Sequence, residues 1–247
     1  MAAAVLSQRS DRLPRALLGY AAALAVLLLV PPLLTASIGL PTGFTLQEAV
    51  DLLTPLIVIP LAWYVFDLTG GLGRMGLVAF LVIAAVWIEG QAIHLAANAI
   101  GDAVPPGAVE AFVRTAPGDL DHWLDETLSH WMWHVAWVAL SILLLAAASR
   151  TQGVPAALTS GTAAAAGFVH GATFFVVTVE GVTTLLGIPA SIVLLAWSAS
   201  LARRGLTGRP VVVFFLVASI VTLVGYVGWA ALQGGTLPEF SKLRSSG

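Results

Sequence analysis

Glu126, His130 and His134 recur at four-residue steps in the stretch Asp125-Glu126-Thr127-Leu128-Ser129-His130-Trp131-Met132-Trp133-His134. On an α-helix each four-residue step turns by about 400°, so the three side chains stay within roughly 80° of one face. Imidazole nitrogen and carboxylate oxygen are the usual ligands of zinc and non-haem iron. Two other apolar segments carry groups of the same kind: Glu89, His94 and Asn98 on one, His170 on another. His94, His130 and His134, or His170 in place of one of them, would give a catalytic zinc three ligands and leave a position open for water. Glu89 and Glu126 then remain as general base or proton shuttle. Asn98, Asp51 and Ser129 are candidates to orient the ligands from behind. The mixed His/carboxylate set suits zinc and iron, with zinc the first choice.

The elements that must position these groups are membrane spans. The chain has 247 residues, of which 58% are hydrophobic and 10% charged, against about 25% charged in soluble domains. Apolar runs longer than 18 residues predict seven spans near 16–39, 46–68, 74–100, 123–148, 154–178, 185–202 and 209–232. The fold class is therefore an all-α, polytopic bundle of about seven transmembrane helices forming one domain. No ten-residue alternation of the β-barrel kind is present. A net charge of −2 without a basic stripe gives no sign of a nucleic-acid partner, and none is expected. The absence of cysteine excludes disulfides and thiolate-ligated metals. Ten of the eleven basic residues are arginine and alanine is abundant, a composition typical of GC-rich bacterial genomes.

Basic residues set the expected orientation in the cytoplasmic membrane. Arg9, Arg12, Arg15, Arg74, Arg150, Arg203, Arg204 and Arg209 fall on one side, and Arg114, Lys242 and Arg244 on the other. This split of eight to three predicts a cytoplasmic N-terminal segment 1–15, retained as part of an anchor. It also predicts an external 101–122 loop with a short helix near 108–114, and an external tail 233–247. At about 1.5 Å per residue, His94, His130, His134, His170, Glu89 and Asp51 then fall roughly 9–16 Å below the outer end of their spans. Intramembrane ionisable groups are costly and mark function by default. A shared layer predicts that His94, His130, His134 and Glu89 converge.

Blander roles compete for each residue. His170 alone would serve as a helix–helix hydrogen-bond partner, and His122 as an interfacial residue. Glu48 and Asp51 would favour a helix N-terminus. Trp123, Trp131, Trp133 and Trp137 would form an aromatic belt, Met132 would be packing, and the small residues at 161–167 a close helix contact.

Seven spans, a membrane-embedded His130-x-x-x-His134 preceded by Ser129, and His94 on another span resemble in part the progestin/adipoQ receptor and alkaline ceramidase superfamily. The resemblance implies an intramembrane zinc amide hydrolase. In that superfamily the histidine pair lies on the last span; here it lies on the fourth. The expected function is a membrane metal-dependent hydrolase acting on a lipid or lipid-soluble substrate at the outer leaflet. One alternative is a redox protein holding haem b between two histidines, with Gly167 and Gly171 admitting the macrocycle beside His170, or holding non-haem iron. The other is an ion or proton transporter. A polar packing network in an accessory protein is the fourth reading.

Overall fold

Without water in the hydrocarbon, every backbone N–H and C=O must be satisfied within the chain, and apolar runs of this length do so as helices. The computed structural model describes residues 2–34, 36, 45–150 and 159–244. Its main helices are α1 (Ala2–Leu29), α2 (Leu46–Leu68), α3 (Gly73–Ala103), α6 (His130–Arg150), α7 (Thr159–Glu180), α8 (Thr184–Ala202) and α9 (Pro210–Leu232). Shorter helices are α4 (Val109–Phe112), α5 (Ala116–His122) and α10 (Phe240–Arg244). Seven helices are long and apolar enough to cross a membrane, as the sequence predicts. The expected end of the first span at residue 39 and start of the fifth at 154 lie outside the described residues.

The 101–122 loop is shorter than expected. Helix α3 runs on to Ala103, and the helical stretch Ala116–Arg150 is continuous. The connection contracts to 104–115, with α4 in the place expected for a short helix. The continuous stretch is not uniformly α: Trp123–Ser129 forms a seven-residue π-helix between α5 and α6. In a π turn the hydrogen bond closes on the fifth residue rather than the fourth, a rare geometry frequently found at functional sites.

The bundle packs α7 between α1 and α9, α3 against α6 and α2, and α8 against α9. Leu17, Tyr20, Leu24, Trp87, Trp137, Leu140, Leu144, Phe214 and Phe215 fill the interior at no more than 2% exposure. The small residues at 161–167 are packing surface, with Ala163 and Ala166 fully buried. A Cβ on Gly167 would stand 2.4 Å from the Phe214 carbonyl oxygen, and one on Gly171 2.3 Å from that of Ala218. These two glycines let the α9 backbone lie directly on α7, which is the use the structure makes of them beside His170. Arg74 and Arg150 mark one end of the bundle; the 104–115 connection and the turn after α7 mark the other, here called the histidine end.

Candidate functional site

Gly90 begins the site. A Cβ there would meet Met132 Cβ, the Ser129 carbonyl oxygen and the Trp133 nitrogen, each at 3.0 Å. Glycine thus allows α3 to touch the backbone where the π segment passes into α6. One turn further along α3, His94 Nδ1 lies 2.7 Å from Asp125 Oδ1, with both side chains 20% exposed. The approach is an ion-pair contact rather than an aligned hydrogen bond. The Asn98 amide donates to His94 Nε2 at 3.1 Å. Asp51, 6% exposed on α2, is close enough for its charge to interact with His94.

Three imidazoles then follow one another. The ring centroids of His94 and His130 are 5.3 Å apart, and those of His130 and His134 are 6.0 Å apart. Trp133 stacks on His134 at 4.8 Å and on His94 at 6.1 Å. The fully buried His134 places Nδ1 2.7 Å from the Thr183 hydroxyl. The turn after α7 closes over the rings: a Cβ on Gly181 would lie 2.9 Å from His134 Cε1 and 3.1 Å from His130 Nδ1. The next residue, Val182, holds φ of 52°. That is left-handed backbone, which a β-branched residue adopts only under strain. Neither His130 Nδ1 nor His134 Nε2 has an aligned hydrogen-bond partner among the described residues.

The π segment redistributes the carboxylates. Glu126, four residues before His130, still faces it without reaching hydrogen-bond distance. Its Oε2 stands 4.0 Å from His130 Nδ1, and its side chain is 44% exposed. It is Asp125 that the wide turn delivers to His94. Ser129 is fully buried and donates its hydroxyl to the Asp125 carbonyl, tying the π turn to itself.

Glu126 opens outward into a polar vestibule of about 530 Å³ lined by His122, Glu126, Thr127, Val182, Glu239, Ser241 and Lys242. The C-terminal segment forms one wall. Glu180 accepts from the Phe240 backbone N–H at 2.9 Å, and Trp229 Nε1 donates to the Pro238 carbonyl at 2.9 Å. The hydrogen bond from Lys242 to Glu239, 2.5 Å long, holds the lysine ammonium above its usual range.

Other expected residues fall elsewhere. Glu89 does not join the site: it is exposed on the outer surface of α3, because the face that carries His94 toward α6 turns the preceding Glu89 away. His170 also stands apart, its Nε2 accepting from Trp137 Nε1 at 3.0 Å and its ring 5.9 Å from Tyr20. Glu48 is a capping-box acid, its carboxylate accepting from the Thr45 N–H at 2.5 Å. Of the four tryptophans expected as a belt, Trp133 and Trp137 are buried, while Trp123 and Trp131 are exposed. Asp125, Gly181 and Thr183 are site residues that the helical count passed over. The adjacency of Asp125 to Glu126 was a signal, but only an i+5 count would have favoured it.

Among the described residues, no three His, Asp or Glu side chains gather closely enough to hold a metal ion as they stand. His94 is engaged at both ring nitrogens. Comparisons with known protein families, curated proteins and solved structures returned no match, so the partial resemblance noted above gains no support from them. The chain is a seven-helix membrane protein in which His130 lies beside the Glu126 that lines the vestibule.

Proposed function

We propose that the chain is an enzyme of the cytoplasmic membrane, with its histidine end facing out, that hydrolyses a lipid or lipid-soluble substrate by acid–base chemistry. The observation that carries this reading is the position of Glu126, which lines the vestibule and also approaches His130 at 4.0 Å. Glu126 takes a proton from a vestibule water as that water attacks the substrate carbonyl or phosphoryl; the bond to the leaving alcohol or amine breaks, and Glu126 returns the proton to that leaving group. His130 stands beside Glu126, and the His94–Asp125 pair lies one ring beyond. Asp125 fixes the orientation of His94, as carboxylates do for catalytic imidazoles. At the head-group level the vestibule would admit the polar part of a lipid whose tail stays in the bilayer.

The test is turnover of a panel of lipid esters, amides and phosphodiesters by purified protein in nanodiscs. Release of product that Glu126→Gln abolishes supports the reading. A panel without turnover, from protein verified as folded, removes it.

A second reading keeps a divalent ion, zinc before iron, and rests on the two buried nitrogens without aligned partners, His130 Nδ1 and His134 Nε2. An ion bound by both and by Glu126 would satisfy them after a small shift of the rings, and would lower the pKa of a bound water. Metal analysis decides it, together with thermal stabilisation on adding Zn²⁺, since a ligand of the native state must raise stability. Less than about 0.1 equivalent of metal without stabilisation on adding it contradicts this reading.

A further inference from the structure

Glu89 is the one acidic residue in the middle of α3. It lies fifteen positions from Arg74, about 22 Å of helix, and thirteen from Asp102, about 20 Å. That places it near the middle of a span, and its side chain points out of the bundle. It makes no hydrogen bond or ion pair among the described residues. Intramembrane carboxylates otherwise face the protein interior or a water-filled cavity and are paired.

The surroundings of Glu89 bear on what covers it. Helix α3 packs on α2, α6, α5 and the π segment, and none of these reaches its outer strip. Along that strip the exposed residues Ala85, Glu89, Ala92 and Ala96 follow at steps of four, three and four, with the exposed Ile88 as the one large side chain among them. Small side chains on both sides of a polar one let another helix come close enough to bond it. None of the eleven basic residues of this chain lies at mid-span. A second copy would therefore bring only another carboxylate to the same depth, and like charges there repel.

We propose that the outer face of α3 around Glu89 docks a membrane helix of a different protein, one carrying a lysine or arginine at mid-span. The charge pair supplies the attraction, and the alanines supply the approach. This surface is separate from the vestibule and does not depend on the hydrolase reading.

The probe is a leucine/alanine transmembrane peptide with one central lysine, compared with an all-apolar twin. Association with the full chain is read by energy transfer in phosphatidylcholine vesicles. The lysine peptide should bind at least about tenfold more tightly than its twin, and Glu89→Gln should erase the difference. Equal binding of the two peptides, or a preference that survives Glu89→Gln, overturns the proposal. So does equal recruitment by the double variant Glu89→Gln/Val193→Glu, which moves the carboxylate to the exposed mid-span position of α8, 55% exposed; that result would reduce the effect to bare charge. A final arm uses the absence of native cysteine. Strong disulfide cross-linking of Ala92→Cys between copies would show that a second copy covers the face, against the proposal; its absence agrees with a different partner.

Discussion

Replacing Gly90 by alanine tests how the site is held together. The added Cβ would stand 3.0 Å from Met132 Cβ, the Ser129 oxygen and the Trp133 nitrogen. Carbon contacts are optimal near 3.5–4.0 Å, so α3 and α6 must part by about 0.5 Å or more. Two of the three atoms are backbone, and a side-chain rotation does not relieve them. Overpacking of this kind costs about 1–3 kcal/mol, which lowers the melting temperature of a chain this size by about 2–4 °C per kcal/mol. The consequence specific to this site appears one turn away. The same parting stretches the 2.7 Å approach of His94 to Asp125. The assay is a double-mutant cycle by reversible unfolding in mixed micelles, with Gly90→Ala, Asp125→Asn and both together. Asp125→Asn should cost less in the alanine background, with a coupling energy above about 0.5 kcal/mol. A Gly90→Ala protein as stable as wild type, or strict additivity of the two changes, refutes the argument that Gly90 sets the His94–Asp125 contact.

Three further outcomes are expected. A cysteine at Glu110, on the exposed helix α4, should react with impermeant reagent from outside intact cells and not from the cytoplasmic side of inverted vesicles, following the eight-to-three split of basic residues. Val182→Gly should raise stability by about 0.5–1 kcal/mol in the same unfolding assay, because a φ of 52° strains valine by about 1–2 kcal/mol and glycine returns part of that as chain entropy. His170→Phe should lose about 1–3 kcal/mol by leaving the buried Trp137 N–H without its acceptor; if Trp137→Phe in the same chain restores nothing, that hydrogen bond is not the cause.

The helix count was legible because it follows from periodicity and cost. Apolar runs had to be helices, and His94, His130 and His134 were too expensive in hydrocarbon to be scattered. Glu48 at a helix start was legible because acids favour a helix N-terminus, while its capping box with Thr45 emerged only in the structure. The division of labour among the carboxylates was not legible. Counting 100° per residue assumes an α-helix throughout, and the π turn at Trp123–Ser129 breaks that assumption where Asp125 and Glu126 compete. Glu89 was misplaced because depth says nothing of azimuth; the close approach at Gly90 fixes which side of α3 meets α6. His170 belongs to α7, whose glycines lay that helix on α9. Thr183 and Gly181 reach the histidines only through the tertiary path of the α7–α8 turn, which leaves no pattern in the chain.

The most direct measurement is lipid turnover by wild type, Glu126→Gln and Glu89→Gln side by side in nanodiscs, each verified as folded. An acid–base centre entered through the vestibule predicts that Glu126→Gln lowers the rate about 10²–10⁴-fold while Glu89→Gln leaves it unchanged. Wild-type protein without turnover, a Glu126→Gln protein that keeps its rate, or a loss confined to Glu89→Gln would contradict it.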